Sequence, residues 1–143
     1  MRYDYFGVSQ RVSKLYGKFL EPVCQRHGLT KNELDVLLFL YNNPEYDRAR
    51  DVVVHRGLVK SHVSLSVTNL QARGLLSGET DSTDRRIVRL RLTDEGRSVA
   101  GEGRSVQEAF FSRLFAGIDR EEMEISLKIK QIVSANAAQM SEE

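Results

Sequence analysis

The stretch from Gly57 to Arg91, GLVKSHVSLSVTNLQARGLLSGETDSTDRRIVRLR, constrains the fold more than any other part of this chain. Its apolar spacing changes partway along. Val63, Val67 and Leu70 recur at i, i+4 and i+7, which places them on one side of a helix. Beyond Gly74, Val88, Leu90 and Leu92 alternate with Arg89 and Arg91 at the period of a strand with one face on a core and the other in solvent. A helix must therefore end at Arg73-Gly74, where glycine accommodates the left-handed turn that releases the chain. A strand begins at Leu75-Leu76, and Ser77 to Thr83 has the composition of a turn. The expected element is a helix of about Lys60 to Arg73 followed by a two-stranded hairpin.

The helix face opposite the apolar stripe carries Ser61, Ser64, Leu65 and Thr68, flanked by His62 and Asn69, with Lys60 at its start. These side chains suit the edges of bases. Hydroxyls donate or accept, an amide matches adenine, and a leucine can rest on a thymine methyl. A lone exposed leucine is also common on protein surfaces, so Leu65 by itself does not decide the matter. At the hairpin tip stands Asp84-Arg85-Arg86. A planar guanidinium there fits a narrow minor groove, and an acid two residues earlier can fix its direction through a bidentate pair. For an isolated triplet of this kind, a solvated charge cluster is the alternative. From Arg48 to Arg91 there are nine Lys/Arg against four Asp/Glu, and in the remainder twelve against sixteen, although the whole chain is close to neutral at +1. Positive charge is thus concentrated where phosphates would be met.

The flanking segments support a mainly helical chain. Val8, Val12, Leu15, Phe19 and Val23, widened by Tyr16 and Leu20, form the stripe of a long amphipathic helix in which Pro22 makes a kink plausible. Thr30-Lys31-Asn32-Glu33 has the form of a capping box and opens a helix whose apolar run, Val36 to Leu40, should be the most buried part of the fold. A short third helix, Arg48 to Arg56, turns inward Ala49, Val52 and Val53, while Arg48, Arg50 and Arg56 are available for phosphates or solvent. Helix, turn, helix is the order in which one helix supports a second in a groove. Thr93-Asp94-Glu95 starts a further helix, with Gly101 and Gly103 expected to loosen it, and Asp119-x-x-Glu122 caps a last one carrying Ile125, Ile129, Ile132 and Val133. These terminal helices are more apolar than a small lobe needs, and a subunit interface would account for them.

Taken together, the helix, Gly74, the paired leucines, the hairpin bearing Asp84-Arg85-Arg86, and Leu92-Thr93-x-x-Gly96 resemble the MarR family of winged helix-turn-helix transcriptional regulators. The resemblance covers about Leu29 to Gly96. It implies a mainly α fold with a small β-wing, in a single domain of three parts. These are an N-terminal dimerisation helix over 1–28, a winged helix-turn-helix DNA-binding lobe over 29–96, and C-terminal dimerisation helices over 97–143. It further implies a homodimer on double-stranded DNA with a pseudo-palindromic operator, each recognition helix in a major groove and each wing in a minor groove. On that pattern the DNA-binding residues are Lys60, Ser61, His62, Ser64, Leu65, Thr68, Asn69, Asp84, Arg85 and Arg86. Repression, relieved by a small-molecule effector whose identity the residues leave unknown, is the family's usual mode. Two positions depart from the pattern: Val59 stands where the family often has a capping hydroxyl, and Leu65 where it often has arginine.

Other classes of function find little in the sequence. His27, His55 and His62 lie in separate segments without a catalytic spacing, and no cofactor or metal motif is present. Neither a signal-peptide core nor an apolar run long enough for a membrane span is visible, so a cytoplasmic protein is expected. Cys24, the single cysteine, would be a redox switch if Arg26 lowered its pKa, and otherwise a small buried apolar residue. A winged helix serving as a protein-interaction module is the other alternative, since a fold does not fix its use.

Overall fold

The computed structural model describes residues 5–142, and contains six helices and one hairpin among them. In order these are α1 (Tyr5–His27), α2 (Lys31–Asn42), α3 (Ala49–Arg56), α4 (Lys60–Ala72), β1 (Leu76–Thr80), β2 (Val88–Leu92), α5 (Asp94–Leu114) and α6 (Arg120–Met140). The fold is mainly α with a two-stranded antiparallel wing, as the sequence led us to expect. The chain forms two compact units that part inside α5, after Phe110.

In the first unit, α2 is the element against which α1, α3, α4 and β2 all pack. Its Leu34, Val36, Leu37 and Leu38 are buried, together with Leu20 and Val23 of α1, Val52 of α3, and Val63 and Leu70 of α4. Burying a leucine or valine side chain fully stabilises by roughly 1.5–3 kcal/mol, so this cluster fixes how α4 sits on the core. Thr30 caps α2, its hydroxyl accepting from the Glu33 amide at 3.1 Å. α1 stays helical across Pro22, and only its C-terminal part is deeply buried, whereas Val8 and Leu15 lie exposed.

Helices α1 and α4 end in the same way. The Leu29 amide reaches the Cys24 carbonyl and the Leu75 amide the Leu70 carbonyl, both at 2.9 Å, around Gly28 and Gly74 in the left-handed region. This closure drops a leucine into the core just past each helix, and at Gly74 it aims the chain into the wing.

In the wing, Leu76 pairs with Leu92, Gly78 with Leu90 and Thr80 with Val88. Ser77 to Thr80, expected to be turn, belong to strand β1, because the ladder to β2 outweighs their weak strand preference. The tight part of the loop is confined to 81–87. Val88 was expected on the core face but is 47 % exposed: the alternation is real, yet the core beneath the sheet reaches only as far as Leu90.

Thr93 joins the wing to α5. Its hydroxyl accepts from the Gly96 amide at 3.1 Å and donates to the Gly74 carbonyl at 2.7 Å. A Cβ on Gly96 would stand 1.9 Å from the Leu75 carbonyl oxygen, so the first turn of α5 lies against the start of the wing only because this residue has no side chain. The expected loosening of α5 at Gly101 and Gly103 does not occur. The helix is continuous, and Gly103 is a close-packing position against Leu34 and Leu38.

In the second unit, Phe111 and Phe115 stack at 5.9 Å, and α6 opens with a complete capping box between Asp119 and Glu122. No residue of α6 is buried. Ile125, Ile129 and Ile132 are each more than half exposed along one stripe, with Val133 beside them.

Candidate nucleic-acid interface

Helix α4 begins where expected although Val59 offers no side-chain cap; the Val59 carbonyl simply accepts the Val63 amide at 3.0 Å. Val63 and Leu70 hold the inner face down, together with Ser66, which is buried beside them. Lys60, Ser61, His62, Ser64, Leu65, Thr68 and Asn69 all lie exposed, so the structure brings the whole helical part of the expected set onto one open surface. Leu65 is 63 % exposed in the middle of it. The Thr68 hydroxyl donates to the Ser64 carbonyl at 3.0 Å, which leaves it an acceptor toward any outside group. Beside this face, a hollow of about 320 Å³ between α3 and α4 is lined by Arg50, Lys60, Ser64 and the apolar Ala49, Val53 and Val63.

The wing tip is built by two carboxylates. Asp81 accepts the Thr83 and Asp84 amides at 3.0 and 2.9 Å, folding the loop back on itself as an Asx turn. Asp84 accepts the Arg86 amide at 3.0 Å and then grips the Arg86 guanidinium through Nε at 3.1 Å and Nη2 at 3.0 Å. The bidentate pair anticipated from the triplet therefore forms, and it leaves Arg86 projecting with 90 % of its side chain exposed. Arg85 is exposed next to it. These bonds hold both carboxyl groups below the usual carboxylate range: the backbone amides do so chiefly for Asp81, the Arg86 side chain chiefly for Asp84.

Three expectations are corrected here. Arg89 does not point freely into solvent: it donates to Asp47 at 2.8 Å and to Asp81 at 3.3 Å, and is about two-thirds buried. Arg56 is paired with the buried Asp35, 3.4 Å away, rather than free, although 40 % of its side chain stays exposed. The expected lowering of the Cys24 pKa by Arg26 is not seen either. Arg26 pairs with Glu102 instead, and the thiol is pushed up in pKa by burial and by Asp35, Glu21 and Glu33 around it. A raised pKa leaves little thiolate for oxidation at neutral pH.

Some contributors were not visible in the sequence, because they act across long separations. Asp47 joins Arg89 over 42 positions, and its carbonyl also accepts the Leu90 amide at 2.7 Å. Arg73, at the end of α4, donates to the carbonyls of His27 and Gly28. His27 in turn meets Glu102 of α5 at 2.6 Å, which chiefly holds the Glu102 carboxyl below its usual range. Asp35 is buried with its Oδ1 lacking a hydrogen bond, and burial raises its pKa against the opposing pull of Arg56. Its acidic position inside the apolar run of α2, beyond Glu33 of the first turn, was the one available signal.

A model of the MarR family matches residues 27–87, from the end of α1 through the wing tip. Over that stretch the chain is similar to the MarR family of transcriptional regulators. It is 26 % identical over 120 residues to the uncharacterised HTH-type transcriptional regulator YdgJ of Bacillus subtilis (strain 168), covering 84 % of this chain and 71 % of that one. Among solved structures, it is similar to a MarR family transcriptional regulator from Silicibacter pomeroyi, with 25 % identity and a TM-score of 0.77 over 90 % of this chain and 86 % of the other. A putative MarR family regulator from Listeria monocytogenes, solved with a 26mer DNA, superimposes with a TM-score of 0.84 at 14 % identity, over 96 % and 91 % of the two chains. These relatives are regulators, and the family is not one of enzymes. Among the described residues, no helix is long and apolar enough to cross a membrane, and no group of His, Cys, Asp or Glu is placed to hold a metal ion.

Proposed function

We propose that this chain is a MarR-type regulator that binds double-stranded DNA as a homodimer at a pseudo-palindromic operator and acts as a repressor released by a small-molecule effector. The observation that carries the DNA-binding part is the pairing of two features on one unit. One is an open polar helix face of Ser61, His62, Ser64, Leu65, Thr68 and Asn69; the other is a wing tip whose Arg86 is held outward by Asp84. The helix face takes the major groove, where Ser64, Leu65 and Thr68 meet base edges and Lys60 a phosphate. Arg86, with Arg85 beside it, takes the minor groove, where it responds to groove width more than to base identity.

Dimerisation is supported by apolar surface that the single chain leaves open. Val8 and Leu15 of α1 and the stripe Ile125, Ile129, Ile132 on α6 are exposed side chains of the kind that a symmetric interface buries. In this reading 1–28 and 97–143 supply the dimer helices, 29–96 the DNA-binding lobe, and the protein works in the cytoplasm. The test is an equilibrium titration of a labelled operator-containing duplex across a salt series, with sedimentation of the free protein. A steep fall in affinity with salt and a protomer mass doubled in solution support the reading; salt-independent binding, or a monomer at micromolar concentration, overturns it.

A further inference from the structure

The wing is tied to the rest of its unit by an ionic clamp that the sequence disguises as a DNA contact. Arg89 has the residue type and strand position of a phosphate ligand, yet its guanidinium is spent inward. Nη1 donates to Asp47 Oδ1 at 2.8 Å and Nε to Asp81 Oδ1 at 3.3 Å. The three residues come from three places: Asp47 from the loop between α2 and α3, Arg89 from β2, and Asp81 from the loop that carries the wing tip. All are at most partly exposed, at 24, 36 and 19 % of their side chains respectively. Next to the clamp the Asp47 carbonyl accepts the Leu90 amide at 2.7 Å, so the same loop residue holds β2 by backbone and by charge. Asp81 faces the other way as well: its second oxygen accepts the Thr83 and Asp84 amides, and Asp84 holds Arg86. An unbroken chain of bonds thus runs from the helix-turn-helix to the arginine at the wing tip.

We propose that Arg89, gripped between Asp47 and Asp81, is a positioning residue that sets the wing at the angle placing Arg86 in the minor groove. This deepens the DNA-binding reading above and rests on it. The clamp makes a prediction whose sign differs from that of simple electrostatics. Asp47 and Asp81 are negative charges on a surface that approaches phosphates, so if they were only solvated acids, neutralising either would tighten DNA binding. If they hold Arg89, neutralising either weakens it. Arg89 itself, if it touched a phosphate, would contribute about 0.9 to the slope of log affinity against log salt; as a positioning residue its loss acts through Arg86.

The experiment compares wild type, Asp47→Asn, Asp81→Asn, Arg89→Gln, Arg86→Ala and the Arg86→Ala/Arg89→Gln double variant. Each is titrated against one high-affinity duplex at several salt concentrations, and amide exchange over residues 81–87 is followed in the free proteins. The expected result is that Asp47→Asn and Asp81→Asn each lose about two- to fivefold in affinity, the upper range of a partly exposed ion pair. Arg89→Gln should cost little once Arg86 is already alanine, the non-additivity of residues acting through one another. Exchange at 81–87 should quicken in both Asn variants without DNA present. Unchanged or tighter binding by both Asn variants overturns the proposal, as does full additivity of Arg89→Gln with Arg86→Ala. A wild-type protein with no salt-dependent DNA affinity would defeat the DNA-binding reading instead. The exchange measurement would then still decide whether the clamp orders the wing, and unaltered exchange would count against it.

Discussion

Three glycines of α5 offer one substitution in three surroundings of a single helix, and their neighbours rank the outcomes. In an open helix interior, glycine to alanine stabilises by up to about 1 kcal/mol, through the lower backbone entropy of the unfolded chain and better helix propensity. Gly101 meets that condition: the nearest atom to an added Cβ is the Tyr41 hydroxyl at 3.7 Å, ordinary contact, so Gly101→Ala should gain about 0.5–1 kcal/mol. At Gly103 the new methyl meets Leu38 Cδ2 at 3.0 Å and Leu34 Cδ1 at 3.3 Å. These are ends of flexible side chains in a packed core, and the overpacking cost of about 1–3 kcal/mol roughly cancels or exceeds the propensity gain. At Gly96 the obstacle is backbone, the Leu75 carbonyl oxygen at 1.9 Å and its carbon at 2.9 Å. No rotamer relieves that. The first turn of α5 must move off the wing, disturbing the Thr93 bonds to Gly74 and Leu75, and the loss should reach about 3 kcal/mol or more. The assay is urea unfolding at fixed protomer concentration, since any dimer makes stability concentration-dependent. Midpoints should fall in the order Gly101→Ala above wild type, Gly103→Ala near or below it, and Gly96→Ala far below. A Gly96→Ala protein as stable as wild type would refute the close approach of α5 to Leu75, and a destabilised Gly101→Ala would refute the propensity argument.

Arg86→Ala should lower affinity on the order of tenfold across operators of different sequence, measured by titration, while Leu65→Ala should change which bases are preferred at one position by about 1–3 kcal/mol. Asp35→Asn should raise stability at neutral pH by up to about 1 kcal/mol, because the cost of burying the charge outweighs its pairing with Arg56, 3.4 Å away. A carboxyl with a raised folded pKa gains relative stability as pH falls through that pKa toward its unfolded value, so the advantage of the variant should shrink in acid; denaturation at several pH values checks this. Asp81, Asp84 and Glu102 have the opposite sign. Their lowered folded pKa values give a contribution that is full above the unfolded carboxylate pKa and is lost as pH falls through the folded one. Cys24 should alkylate with iodoacetamide at pH 7 more slowly than free cysteine, and peroxide should leave DNA affinity unchanged; rapid alkylation would contradict its raised pKa.

What could be read from the sequence was what depends on local periodicity and local chemistry. The 3.6-residue stripe fixed which side of α4 is open, Gly74 marked its end, and the spacing of Asp84 and Arg86 foretold their pairing, because all three lie within one or two turns of chain. Arg89 shows where that reading stops. An arginine alternating with leucines on a strand reads as solvent-facing, and only the fold brings Asp47, 42 residues away, to claim it. Val88 failed for a related reason: alternation gives the face of a strand but not the extent of the core beneath it. Ser77 to Thr80 were assigned to a turn by composition, whereas their pairing with β2 is a non-local fact. Gly103 read as a weak point of a helix and proved to be a contact, since a missing side chain looks the same in sequence whether it serves flexibility or close approach.

The most direct test of DNA recognition by this wing and helix is selection of bound fragments from a randomised duplex pool, run for the intact protein and for Arg86→Ala at two salt concentrations. The expected result is a two-fold symmetric motif with half-sites about one helical turn, ~10 base pairs, apart, whose enrichment falls with salt and with the substitution. An absence of enrichment at low salt, or enrichment indifferent to both salt and Arg86, would contradict it.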